Sequence, residues 1–211
     1  MLKQTTPVRV KICGITRLED AQAAVRLGAD ALGFVFAKSP RQITPKEAGK
    51  ISRALGPLVT RVGVFVNEPV RQILAIMREA KLDIAQLHGS ESPEDCVKLL
   101  AAGTRGVIKV FHVGEGFALQ SLKRYAVQGH MLETKASVAG GSGISWDWSR
   151  LARTRFATPI IVTGGLKSTN VREAVRTLRP YAVDVSSGVE KKPGIKDIHL
   201  MEKFIRHAKT A

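Results

Sequence analysis

Val10-Lys11-Ile12-Cys13-Gly14-Ile15-Thr16 decides how the chain is read. Val10 and Ile12 belong to a short β-rich run over 8–12, which stops at a cysteine and a glycine. Thr16-Arg17-Leu18-Glu19 then has the spacing of a capping box, which satisfies the first free N–H groups of a helix. Leu18, Ala21, Ala24, Val25 and Gly28 follow at helical intervals. A strand runs straight into a helix, and Cys13 sits in the turn between them.

The same unit recurs outward from this stretch. Further strands are expected over 31–36, 61–66, 83–87, 107–111, 130–133, 159–163 and 182–185. Thr44-Pro45-Lys46-Glu47 opens a helix with proline at its first position, running to about residue 55. Asn67 and Pro69 open a helix with Val70, Ile73, Leu74 and Met77 on one face, and Ser92-Pro93 one with Cys96, Leu99, Leu100 and Gly103. A weaker helix is expected over 117–125, a glycine-rich loop over 136–145 and a short helix over 146–152. One more is capped at Ser168, with Val171, Ala174, Val175 and Leu178 on its face, and the last carries Met201, Phe204, Ile205 and Ala208.

About eight strand–helix pairs in 211 residues, with near-continuous apolar strands, imply a parallel sheet buried on both faces. The expected fold is a single α/β domain over 1–211, a (β/α)8 TIM barrel with parallel strands and short loops, with residues 1–7 expected as a flexible N-terminal extension. An open doubly wound sheet is the alternative.

Composition narrows the functional classes. The chain is 44% hydrophobic, enough for one packed core, and has no apolar run of the roughly 18 residues a membrane span requires. Its first nine residues lack the apolar stretch of a secretory signal, so a cytoplasmic protein without membrane partners is expected. Cys13 and Cys96 read as free thiols in a reducing compartment. The five histidines are scattered and no Cys/His group has metal-site spacing, so no structural metal is expected. A net charge of +15 raises nucleic-acid binding. However, there is no run of five basic residues, and only 5% of residues are aromatic, with no stacking pattern. Basic helix surfaces and an anionic small-molecule substrate are expected instead, with no nucleic-acid partner.

A barrel places its active site where the strands end. Those positions hold Lys11 and Cys13, Lys38-Ser39-Pro40-Arg41, Asn67, Gln86 and His88, Lys109, Glu133 and Lys135, Thr163-Gly164-Gly165, and Asp184 with Ser186-Ser187-Gly188. Glycines at Gly164-Gly165, and Ser186-Ser187-Gly188 leading into a short helical turn, suit a phosphate after the seventh and eighth strands. Cys13 and Glu133 are candidates for a base and an acid. Spacing alone leaves open a buried structural thiol and a surface carboxylate beside Lys135. Arg41 suits bidentate capture of a carboxylate, with a solvated loop arginine as the alternative.

Taken together, the segments resemble the phosphoribosylanthranilate isomerases, barrel enzymes of tryptophan biosynthesis. The resemblance rests on Lys11-Ile12-Cys13-Gly14-Ile15-Thr16, Gly33-Phe34-Val35-Phe36 with Lys38-Ser39-Pro40-Arg41, and Val62-Gly63-Val64-Phe65-Val66-Asn67. It continues through Gln86-Leu87-His88-Gly89, Gly140-Gly141-Ser142-Gly143 with Trp146-Asp147-Trp148, Gly164-Gly165-Leu166, and Val183-Asp184-Val185-Ser186-Ser187-Gly188-Val189-Glu190. The family converts N-(5-phosphoribosyl)anthranilate to 1-(2-carboxyphenylamino)-1-deoxyribulose 5-phosphate by an Amadori rearrangement, without metal or organic cofactor. The resemblance implies Cys13 as base, a carboxylic acid at Glu133, Arg41 on the anthranilate carboxylate, and Gly164, Gly165, Ser186 and Ser187 on the phosphate. Gln86, His88, Gly141, Gly143, Asp184 and Gly188 fall in the matching motifs and are expected to line the substrate. The expected partner is a small phosphorylated molecule, and the expected assembly a monomer or homodimer.

One position departs from the pattern. The family places aspartate in a Leu-Asp-Thr/Ser segment, whereas Met131-Leu132-Glu133-Thr134 has glutamate, one methylene longer. Either the backbone compensates and Glu133 acts as the acid, or activity is low, or the substitution traps a substrate or changes the reaction; an inactive barrel that binds a phosphate ligand is the non-enzyme alternative. The related histidine-pathway isomerase is a further alternative, but Cys13 and the lack of a half-barrel repeat argue against it.

Overall fold

Strand follows helix until the sheet meets its own beginning. The computed structural model describes residues 7–114, 116–134, 151, 154 and 156–211. The expected glycine loop with Gly141 and Gly143, the Trp146-Asp147-Trp148 segment and nearly all of the expected helix over 146–152 lie outside them. Strands β1 (Arg9–Ile12), β2 (Ala31–Val35), β3 (Thr60–Phe65), β4 (Ile84–Leu87), β5 (Gly106–Val113), β6 (Gly129–Thr134), β7 (Ile160–Thr163) and β8 (Ala182–Val185) pair in chain order as a closed barrel. Every neighbouring pair is parallel, and β8 returns to β1. The open sheet is thereby excluded.

Each strand serves two cores because successive side chains point to opposite faces. Val10, Ile12, Leu32, Phe34, Leu132, Val162 and Val183 share one cluster with helical residues such as Met201 and Phe204. Ile108, Val110, Met131, Ile161 and Ala182 fill the barrel interior as a separate cluster. Burying an aromatic such as Phe34 or Phe204, each at 0% exposure, stabilises by roughly 1.5–3 kcal/mol. The alternation that turns Val110, Met131 and Ala182 inward also turns His112, Glu133 and Asp184 inward, nearer the strand ends.

The outer layer comprises α1 (Leu18–Arg26), α2 (Pro45–Ala54), α3 (Val70–Ala80), α4 (Pro93–Ala101), α5 (Val171–Leu178) and α6 (Ile198–Lys209) among the described residues. Capping boxes form at Thr44 with Glu47 and at Ser92 with Asp95, each with proline in the first turn. The box expected at Thr16 does not form. Its hydroxyl donates instead to the Gly194 carbonyl at 2.5 Å, leaving α1 without a side-chain cap. Helix α5 starts later than Ser168: its N-cap is Asn170, whose Oδ1 accepts from the Lys167 N–H at 2.8 Å. The segment after β5 is a 3-10 helix, Leu119–Arg124. After β8 comes a 3-10 turn, Ser187–Val189, then an unforeseen hairpin of β9 (Glu190–Lys192) and β10 (Ile195–Lys196).

Candidate active site

The end of β1 is held in place by charge. Lys11, 3% exposed, donates from Nζ to Asp184 Oδ1 at 2.7 Å, its register partner on β8. Asp184 also accepts from the Thr163 hydroxyl at 3.0 Å, so three strand ends share one buried network. Cys13 is buried on the same face as Lys11. A Cβ on Gly33 would lie 2.7 Å from Cys13 Sγ and 3.0 Å from Lys11 Nζ, so both groups crowd over the one position on β2 that has no side chain. Burial raises the Cys13 thiol above its ordinary value; the Lys11 cation acts in the opposite direction. Lys11 itself is raised: burial works against its charge, and the adjacent Asp184 and Cys13 outweigh it.

Arg41 approaches from the loop after β2. Its Nε lies 2.9 Å and its Nη2 2.7 Å from the two carboxylate oxygens of Glu190, a fork-to-fork pair. Lys196 Nζ donates to Glu190 Oε1 at 2.8 Å and to the Ser186 carbonyl at 3.2 Å. The hydrogen bonds that Arg41 donates to Glu190 raise the guanidinium further, and burial lowers Lys196 below its usual range. Burial pushes Glu190 up, but the hydrogen bonds and charges of Arg41 and Lys196 outweigh it and hold the carboxyl low.

The expected phosphate loops meet. Gly164 and Gly165 both take positive φ, at 93° and 64°. A Cβ on Gly188 would overlap the Leu166 carbonyl oxygen, so the loop after β7 packs directly on the loop after β8. Ser187 opens the 3-10 turn. Ser186 Oγ is buried without a hydrogen bond, as is Gln86 Oε1 on β4. Buried polar atoms of this kind are normally partnered, and a bound ligand is one way to satisfy them.

Across the mouth, Glu133 ends β6 between two imidazoles. His88 Nε2 lies 3.0 Å and His112 Nδ1 2.9 Å from the same oxygen, Glu133 Oε2. Burial pushes the carboxyl up, but the two histidines outweigh it and hold the group below the usual glutamate value. That direction works against proton donation.

Two rim residues have another role. Lys109 points away from the mouth: its ammonium pairs with buried Glu91 at 3.0 Å and donates to the Gly89 carbonyl at 2.7 Å. Glu91 also accepts from the Asn67 N–H at 2.8 Å, and Asn67 Oδ1 accepts from the Ser90 N–H at 2.6 Å. The two residues brace the loop that carries His88. Sequence reading passed over Glu91, Lys196 and His112 altogether. Gly33 and Glu190 lie within the motifs that carry the resemblance, but the motifs give them no place in the site. His112 was reachable by period-two alternation from Val110, had β5 been expected to run past residue 111.

A sequence profile of the family described as N-(5'phosphoribosyl)anthranilate (PRA) isomerase matches residues 10–207. The chain belongs to this isomerase family. A Geobacter metallireducens N-(5'-phosphoribosyl)anthranilate isomerase is 48% identical over 205 residues, covering 96% of this chain and 100% of that one. The phosphoribosyl anthranilate isomerase structure from Thermotoga maritima superposes with a TM-score of 0.84 at 45% identity, over 97% of this chain and 100% of that one. Another phosphoribosyl anthranilate isomerase structure, in complex with reduced 1-(o-carboxyphenylamino)-1-deoxyribulose 5-phosphate, gives 0.81 at 42% identity, with the same coverage. The chain is thus an isomerase of tryptophan biosynthesis on a TIM barrel, catalysing the rearrangement of N-(5'-phosphoribosyl)anthranilate.

Proposed function

We propose that Cys13 and Glu133 are the base and acid of this Amadori rearrangement. The observation that carries the reading is that the two sit at the ends of β1 and β6 on the inward face of one barrel mouth, each among polar side chains. The protonated fraction of Glu133, small because His88 and His112 hold the carboxyl low, gives its proton to the furanose ring oxygen. The C1–O bond breaks, and the anthranilate nitrogen lone pair forms a C=N bond, leaving a cationic Schiff base. The Cys13 thiolate removes the C2 proton, and that electron pair becomes a C1=C2 bond as the nitrogen is neutralised. The enolamine then tautomerises to the ketone.

In this reading the substrate is a small phosphorylated molecule, and the relative solved with the reduced product analogue supports that class of ligand. Its phosphate is held by Gly164, Gly165, Ser186, Ser187 and Gly188. Arg41, with Nε and Nη2 engaged by Glu190, offers its remaining edge to the anthranilate carboxylate. Gln86 and His88 contact the ribose. Asp184 acts from below, by holding Lys11 beside Cys13. Gly141 and Gly143 complete the ligand set by resemblance. The excess positive charge steers an anionic substrate toward the mouth. A cytoplasmic location fits two buried free thiols, and a monomer or homodimer fits a solved relative described as monomers generated from a dimeric isomerase.

The test is a fluorescence assay with freshly generated phosphoribosylanthranilate. Cys13→Ala and Glu133→Ala are each expected to lose at least about a hundredfold in kcat, the usual weight of a general acid or base, while Glu133→Asp keeps turnover. Glu133→Ala matching the parent removes it as the acid.

A further inference from the structure

The carboxylate assigned as acid is also the centre of a group that the reaction does not require. His88 follows β4, His112 lies on β5 and Glu133 lies on β6, directly opposite His112 in register. One imidazole nitrogen from each histidine and a Glu133 oxygen all lie within 4.8 Å of one another. We propose that His88, His112 and Glu133 bind one divalent first-row transition metal ion of the Zn2+ class, and that its binding blocks isomerisation.

The geometry is close to what such an ion needs. Bonds of about 2.0–2.1 Å in a tetrahedral arrangement separate ligand atoms by about 3.3 Å. Two edges of the triangle are already 3.0 and 2.9 Å, from His88 Nε2 and His112 Nδ1 to Glu133 Oε2. The third closes by rotating His112, whose side chain is 50% exposed at the rim. Both nitrogens converge on one oxygen, Glu133 Oε2, instead of spreading over the two carboxylate oxygens, so the three ligand atoms already face a common point. Paired imidazoles select the ion: Zn2+, Co2+, Ni2+ and Cu2+ accept nitrogen ligands, whereas Mg2+ and Ca2+ prefer all-oxygen shells. The site faces the open mouth, which leaves a fourth position for water or a substrate oxygen. Sequence spacing gave no hint of it, because the ligands come one from each of three neighbouring strand ends.

Blocking follows because a cation on Oε2 occupies the group that must reach the furanose ring oxygen. That consequence rests on the assignment of Glu133 as acid; the binding does not.

Co2+ serves as the probe, because a His/carboxylate site gives it visible ligand-field bands. Added to the full chain, Co2+ is expected to produce bands that saturate at one equivalent and are removed by Zn2+, but not by millimolar Mg2+. His112→Ala is expected to weaken Co2+ binding roughly tenfold or more, with unchanged far-UV circular dichroism. Isomerase activity should fall along the same Co2+ binding curve and return on adding EDTA. The site is refuted if no one-to-one band forms, or if the band survives unchanged in both His112→Ala and Glu133→Gln. Saturating Co2+ with undiminished turnover refutes the block and counts against Glu133 as acid while leaving the site in place. A parental rate in Glu133→Ala refutes the acid assignment alone, since the Co2+ spectrum of the parent does not depend on it.

Discussion

Burial and charge pull Cys13 in opposite directions, and burial prevails: the thiol stays above its ordinary 9.0 despite Lys11 beside it. A base in that condition is mostly protonated near neutrality. In the free enzyme the gain in Cys13 thiolate and the loss of protonated Glu133, whose carboxyl is held low, offset one another, so kcat/KM is expected to stay nearly flat between about pH 7 and 8. A tenfold rise per pH unit across that window would show the thiolate titrating without a matching loss of acid, and would exclude Glu133 as the proton donor. The residue types at the mouth were legible before the structure, because a barrel forces strand-end residues onto one rim. Their partners were not. Nothing in the spacing of Arg41 and Glu190 says that one clamps the other, and Lys109 looked like a rim cation until the pleat turned it outward to Glu91.

Helix starts show where local signals suffice. At α2 and α4 the capping residue, the proline and the acid three positions later all lie within one turn, so no distant partner is needed and both boxes form. Ser92→Ala is expected to cost about 1 kcal/mol, read as a lower urea midpoint with unchanged slope, since Ser92 Oγ accepts from the Asp95 N–H at 3.2 Å. An unchanged midpoint would mean that α4 is held by its apolar face alone. The same pattern at Thr16 failed for a tertiary reason. The hydroxyl found a stronger claim in the Gly194 carbonyl, which belongs to a hairpin nearly the whole chain away. That hairpin escaped sequence reading because Glu190–Lys192 and Ile195–Lys196 are too short and too charged to show a strand period.

At the scale of the molecule, Glu190 joins the first quarter of the barrel to the last, with Arg41 on one side and Lys196 on the other. Its carboxyl is held below the ordinary 4.5, so its stabilisation is fully present above that value and is lost as the pH falls through the lowered one. Glu190→Gln is expected to lower unfolding free energy at pH 7 by roughly 3 kcal/mol, because it leaves two cations facing each other without their anion. In urea titrations the difference between parent and variant should narrow as the pH drops below 4.5. A difference that stays constant down to pH 3 would show that Glu190 contributes packing and not charge.

Local periodicity and contiguous motifs were enough for the strand and helix alternation, the rim positions and the family, whereas the closed barrel was separated from the open sheet only by the pairing of β8 with β1. Val10 to Thr16 was enough to place Cys13 at a strand end. The tertiary structure alone decided what surrounds each rim residue: Lys11 and Gly33 against Cys13, Glu190 on Arg41, and His88 with His112 on Glu133. Those contacts join residues brought together by barrel closure, and closure depends on strand register and stagger, which no short stretch of sequence encodes.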